Sequence, residues 1–216
     1  GGPPELVERR LRLVRELLEA AARECPDPDD LRVAILGYGD HLFVARTERR
    51  RPVRRTGLLP VAQALGSLAG FRPPADLDDL DEERRYAGDA APVEDMLHEA
   101  VRLLEKQAAD RRRILLTLGG RPPHPVRAAE DSVLPCPHGL DWRDLVRRLR
   151  TGLGTACTAV SDRPPRAKAP WRELGADGLW ELSAADPGRL AAALGLLPAH
   201  AHELPFPLVD KERGAE

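Results

Sequence analysis

Cysteine is scarce in this chain of 216 residues: there are three, Cys25, Cys136 and Cys157, and no two of them have CxxC spacing. A set so sparse and odd argues against a disulfide framework and fits free thiols in a reducing cytoplasm. Aromatic residues are only 4% of the chain, so the core has to be built from Leu, Val and Ala. No apolar run approaches the ~20 residues that span a bilayer, and no basic segment followed by an apolar one marks a secretory signal. Charge of one sign is lacking too. Lys and Arg number 33 against 35 Asp and Glu, and a net charge of −2 is too small to gather nucleic acid or anionic lipid. The expectation is a cytoplasmic protein with neither nucleic acid nor membrane as partner. The string opens Gly1-Gly2-Pro3-Pro4 without a Met, which reads as a cut or processed chain.

What is present points to a folded domain. Hydrophobic residues make up 42% and charged residues 31%, a globular balance in a chain long enough for one domain with a substantial core. Abundant Arg and Ala with little Lys fit a GC-rich bacterial genome. Val7, Leu11, Val14, Leu18 and Ala21 recur at spacings of four and three, which predicts a helix over 5–24, opened by Pro3-Pro4 and ended by Cys25-Pro26. Leu31–Leu36 predicts a short apolar strand stopped by Gly37 and Gly39, and 42–46 with 52–55 a hairpin. A short helix is expected over Val61–Ala69, a surface loop over Phe71–Glu83, and a second strong helix over 92–108 carrying Met96, Leu97, Ala100, Val101 and Leu104. Ile114–Leu118 is apolar throughout, as a strand covered on both faces must be. A helix over 141–149 and strands over 155–160 and 179–182 follow. The last helix has Asp186 as N-cap, Pro187 at its first position and Gly195 as its stop.

Strands alternating with amphipathic helices imply right-handed crossovers and a three-layer, doubly wound α/β domain, its mainly parallel sheet covered by helices on both faces. The domain is expected to span 1–197, with the Pro- and charge-rich 198–216 as a tail.

Several segments, in order, resemble the von Willebrand factor A family. Arg32–Gly39 followed by Asp40-His41 resembles that family's second strand and the turn after it. Gly88–Leu97 resembles its glycine-rich loop and the next helix. Ile114–His124 (ILLTLGGRPPH) resembles the strand and loop that read like LLTDG, or GDAPPH in one bacterial branch. Thr155–Val160 and Leu179–Leu182 stand where its last two strands lie, and the likeness runs to Leu197. It implies a non-catalytic protein-interaction module whose contact surface is the carboxyl edge of the sheet: Asp40, His41, Gly88, Asp89, Gly120, Arg121 and His124. The implied setting is a bacterial multi-protein system of defence or signalling, where such domains stand beside MoxR-type AAA ATPases.

In that family a divalent cation at the sheet edge is held by oxygens from a DxSxS loop, a Thr and a second Asp. Here no DxSxS occurs, the Thr position falls on Ala91 or Asp89, and the second Asp position on Leu118, Gly119 or Gly120. The resemblance therefore implies a degenerate metal-ion-dependent adhesion site, with no metal and no other cofactor expected. Its alternative is a Mg-dependent adhesion domain whose DxSxS lies upstream of Gly1. The resemblance also implies that the family's first strand, central in the sheet, is missing from this chain. Two unpaired strand edges would then be filled by an upstream segment or by a partner. The tail segment Leu204–Val209 is a poor filler, because Pro205 and Pro207 lack donors.

Other motifs have blander readings. His124, Cys136 and His138 are zinc-ligand types, but the sequence offers no fourth, so polar loop residues are the preferred reading. Leu118-Gly119-Gly120-Arg121 is followed by Pro122-Pro123 rather than by a helix, which reads as a turn and not a phosphate cradle. The five arginines of 49–55 lack an aromatic stacker, and Asp76–Glu83 offers them opposite charge within the chain. A hydrolase using His124, Cys136 or Cys157 is the enzymatic alternative; no nucleophile motif accompanies it, and Cys157 reads as a small core residue. Glu94 and Asp95 are neighbours about 100° apart on a helix, which predicts no paired-carboxylate site. Trp142, Trp171 and Trp180 are expected in core packing.

Overall fold

A computed structural model describes residues 4–24, 27, 31–41, 52–72, 90–127, 133–162 and 169–197 of the chain. In order along the chain, the described elements are α1 (Pro4–Glu24), β1 (Arg32–Val33), β2 (Leu36–Tyr38), β3 (Val53–Arg55), β4 (Leu59–Pro60), α2 (Val61–Ala69), α3 (Val93–Leu104), β5 (Arg113–Gly119), α4 (Trp142–Arg147), β6 (Thr155–Ser161), α5 (Ala169–Leu174), β7 (Gly178–Glu181) and α6 (Pro187–Ala193). No helix among the described residues is long and apolar enough to cross a membrane.

The fold is mixed α/β. Its firmest part is a three-stranded parallel sheet in the order β5-β6-β7, with Arg113 opposite Thr155 and Thr158 opposite Gly178. Alternate side chains of β5 go to opposite faces, as the period of two requires. Ile114, Leu116 and Leu118 pack against Leu13 and Leu17 of α1 and Leu190 and Ala191 of α6. Leu115 packs on the other side with Leu97 of α3, Leu149 and Trp171. Helices thus cover both faces, and that is why β5 reads as an unbroken apolar run.

Local chemistry accounts for the boundaries. Asp186 caps α6, its carboxylate accepting from the Arg189 N–H at 2.7 Å, and Gly195 follows at φ 64°, where a side chain would be strained. Asp141 caps α4 in the same way, through the Arg143 N–H at 2.8 Å. The helix expected over 141–149 does not end there but widens into a π turn, Arg148–Gly152. The Thr151 hydroxyl donates to the Arg147 carbonyl at 2.7 Å within it.

Two expectations need correction. The single strand over 31–36 is two short ones, β1 and β2, and each pairs antiparallel with a different strand, β4 and β3. β3 pairs with β2; the hairpin expected over 42–46 and 52–55 has its first strand outside the described residues. Helix α5 was not foreseen. It is only six residues long and carries Trp171 and Leu174 into the core, each 1% exposed. The loop residues 73–83 and the tail 198–216 also lie outside the described residues.

Among the described residues the strands form three separate sheets. Among the described residues β5 pairs with β6 alone, and its other edge faces β2 across a cavity of about 950 Å³. Ala34–Tyr38 lines one side of this cavity and Ile114–Leu118 the other, with Leu11 and Val14 of α1 on one face and Met96 and Ala100 of α3 on the opposite face. At the carboxyl ends of β2 and β5 the Tyr38 hydroxyl donates to the Leu118 carbonyl at 3.0 Å.

Candidate functional site

The carboxyl rim of the sheet is built by the turns that leave β2 and β5. After β2 the Gly39 N–H donates to the Pro52 carbonyl at 2.9 Å, and Asp40 and His41 follow. After β5 the chain runs alongside the approach to α3: Ala91 bridges Pro123 in parallel, and its N–H donates to the Pro122 carbonyl at 2.8 Å. Gly119 has to be glycine, since a Cβ there would stand 2.5 Å from the Tyr38 hydroxyl and 3.0 Å from the Trp171 ring. The first turn of α3 is thereby brought beside His41, His124 and the loop 133–140.

That turn carries two acids away from water. Glu94 is fully buried and Asp95 nearly so, a position that demands counter-charge beyond what a helix N-terminus supplies. His41 provides it: its Nε2 lies 3.2 Å from Glu94 Oε1 and 3.1 Å from Asp95 Oδ2. Glu94 Oε2 accepts from the backbone N–H of His124 at 3.2 Å. Asp95 Oδ1 lies 2.6 Å from His138 Nδ1, and the Cys136 thiol donates to Oδ2 at 3.6 Å. His124 Nδ1 is 2.9 Å from the Leu134 carbonyl, which accepts only, so the ring carries a proton on that nitrogen. The His41 ring centroid is 5.0 Å from that of His124 and 5.5 Å from that of His138.

Electrostatics follow from this packing. Burial opposes a charge on His41, but hydrogen bonds to Asp95, Cys136 and Glu94 outweigh it and push the pKa up to about 11. The ring is an imidazolium at neutral pH. Burial also works against ionised Asp95, yet His41 and His138 hold its carboxyl below the usual value. Burial pushes His124 down and the Cys136 thiol up.

Of the seven rim residues expected from the sequence, Asp40, His41, Gly120, Arg121 and His124 are described, and they gather at this edge. Asp40 pairs with Arg121. Gly120 packs on Asp162, whose carboxylate is gripped by two nitrogens of Arg10, one at 2.9 Å. Gly88 and Asp89 lie outside the described residues. Two expectations fail here. The zinc-type residues His124, Cys136 and His138 do not stand together as one incomplete set: Cys136 and His138 group with His41 and Asp95, and His124 with His41 and Glu94. And Glu94 and Asp95, despite their angular separation on α3, both reach the same imidazole nitrogen. Sequence spacing misses this because the convergence point is supplied by His41, 53 residues upstream of Glu94.

The remaining motifs are placed elsewhere. Cys157 sits in β6 at 1% exposure, its thiol 3.7 Å from the Thr155 carbonyl rather than against a histidine. The Gly119-Gly120 turn is backed by the Asp162 carboxylate, the wrong charge for a phosphate. Arg55 pairs with Glu99 of α3 at 2.9 Å, and Arg54 lies over the Phe71 ring at 5.9 Å; Asp76–Glu83 lies outside the described residues. Trp142 and Trp171 are buried in the core and Trp180 is packed at its edge. No family model, no curated protein and no solved structure matches the chain.

Proposed function

We propose that this chain is a non-catalytic protein-interaction module, a doubly wound domain of von Willebrand factor A-like arrangement that takes an extended apolar strand into the slot between β2 and β5. The observation that carries this reading is the cavity of about 950 Å³ bounded by two strand edges and two helices. A strand needs that combination: unpaired N–H and C=O groups on either side, and apolar cover above and below. β5 has seven residues, so the slot suits a strand of six or seven, about 20 Å long and running parallel to β5. Its side chains would be aliphatic or β-branched, with no proline and no charge. The N-terminal part of α1 reaches the carboxyl rim, where Arg10 holds Asp162 and Arg9 meets the Ser183 carbonyl. A strand in the slot would end at that rim, which favours delivery through the polypeptide leading into α1 by a right-handed connection.

The partner-facing surface is the rim above the slot, where the Asp40–Arg121 pair reaches the surface and His41 and His124 lie buried beneath it, holding the rim in shape. The non-catalytic reading is supported by the two buried thiols, Cys136 and Cys157, both pushed upward in pKa and so not activated as nucleophiles. Partnership with a AAA ATPase and a role in defence or signalling belong to the same proposal, resting on the family resemblance alone.

The test is amide hydrogen exchange, followed residue by residue. In the chain alone, β6 should be protected at every amide over Thr158–Ser161, where it is paired on both sides. β5 should alternate between protected amides facing β6 and fast ones facing the slot. Joining an apolar seven-residue strand ahead of α1 should protect the fast set and raise Tm, whereas the same strand with a central proline should not. A free peptide that protects equally well would assign the strand to a separate protein. Uniform protection of β5 in the chain alone would end the reading.

A further inference from the structure

We infer that His41, Asp95, Cys136 and His138 form a binding site for a divalent transition metal of the zinc class. Their candidate ligand atoms, two imidazole nitrogens, a carboxylate oxygen and a thiol sulfur, all lie within 4.8 Å of one another. A tetrahedral site with metal–ligand distances of about 2.0–2.3 Å has ligand–ligand edges of roughly 3.3–3.8 Å. The group is already close to that: His41 Nε2 is 3.1 Å and Cys136 Sγ 3.6 Å from Asp95 Oδ2. His138 Nδ1 lies against the other carboxylate oxygen, 2.6 Å from Asp95 Oδ1, so the ion would draw the four atoms in from within 4.8 Å of one another.

The donor set selects the metal. One sulfur, two nitrogens and one oxygen suit a borderline ion such as Zn²⁺, whereas Mg²⁺ and Ca²⁺ require oxygens. Four protein ligands make it a closed, structural type of site. His41, Asp95 and Cys136 are buried, and the His138 side chain is 38% exposed, which leaves an entry path on that side. A second group, His41 with Glu94 and His124, shares His41 Nε2 and so competes for the same lone pair. It lacks sulfur and has one ligand fewer, so it is the weaker option. Glu94 then stands as a fixed negative neighbour, held by the His124 N–H.

The ligands come from three distant stretches: the turn after β2, the first turn of α3 and the loop before α4. One ion therefore staples the β2 side of the molecule to the three-stranded sheet. On binding, the Cys136 thiol proton and one imidazolium proton of His41 pass to solvent, and no electrons are exchanged.

The test uses the full chain, stripped with a chelator and then titrated with Zn²⁺ or Co²⁺ alone. One equivalent of Zn²⁺ should bind and raise Tm. The Co²⁺ form should show intense visible absorption of tetrahedral geometry together with a near-ultraviolet thiolate charge-transfer band. Cys136→Ser should abolish that band and weaken binding at least about tenfold. His138→Ala, at a partly exposed position, should weaken binding similarly while leaving the band. Cys157→Ser should change neither. Absence of Zn²⁺ binding by the folded wild-type chain, or a charge-transfer band that survives Cys136→Ser, overturns the inference. Strand uptake is read at β5 amides without metal, so the two proposals fail separately.

Discussion

The two sides of this molecule are held by different forces. The β5-β6-β7 side is packed: Leu97, Leu149 and Leu174 are at most 1% exposed, and helices press on both faces. The β2-β3 side packs Leu36, Tyr38 and Val53 on that core only partly buried, meets β5 across a cavity, and is bridged at the rim by polar links: Tyr38 to Leu118, His41 to Glu94 and Asp95, and Asp40 to Arg121. Apolar burial is non-directional and adds up over area, while polar links depend on a few atoms staying in register. The first side should survive on its own contacts. The second is poised to be reorganised by whatever occupies the slot or the rim.

Substitutions can break or sharpen that contrast. Leu149→Ala, at a fully buried position among Leu145, Trp142 and Trp171, should cost about 4 kcal/mol in urea unfolding because the surroundings cannot collapse onto the hole. His41→Ala removes the shared counter-charge of two buried carboxylates and should cost ~3 kcal/mol in the metal-free chain. Leu116→Ala is the discriminating case. Leu116 packs toward α1 and α6 but also lines the cavity, so it should cost no more than about 2 kcal/mol. If Leu116→Ala and Leu149→Ala cost the same, the cavity has closed in solution and the contrast disappears.

How much of this could be read from the sequence follows the same division. α1, α2, α3, β5, β6, β7 and α6 were legible because each carries its own periodicity or cap: the stripe of α1, the apolar run of β5, Asp186 and Gly195 around α6. β1 and β2 were not separable. A run such as Leu31–Leu36 has no internal signal for a strand that breaks and changes partner between Val33 and Leu36. In the site, Asp40, His41, Arg121 and His124 entered through the family resemblance, and the structure brings them together at one edge without assigning them a role. Asp95 and Glu94 were discounted by an angular argument that holds for Cβ directions but not for long side chains converging on a third residue. Only tertiary contact between the turn after β2 and the first turn of α3 brings that residue there.

The smallest effect probes the link across the slot. Tyr38→Phe keeps the ring and deletes one hydroxyl hydrogen bond to the Leu118 carbonyl, so it should cost about 1 kcal/mol at neutral pH. The same hydroxyl has an alkaline signature. Burial, opposed by Arg10 and reinforced by Asp162, pushes its pKa from 10.0 up to about 12. A group whose proton is held more tightly in the folded state lends stability that is complete below the unfolded value and lost as pH climbs through the folded one. The unfolding free energy of the wild-type chain should therefore decline between pH 10 and 12. Cys157, on the packed side, is pushed from 9.0 up to about 11 by burial and then by Asp177, so its decline begins a step earlier. Tyr38→Phe should flatten the later part of the alkaline limb and Cys157→Ala the earlier part. If an extended strand fills the slot, the Tyr38 contribution should change while that of Cys157 stays fixed, because only the first lies where the two sides meet.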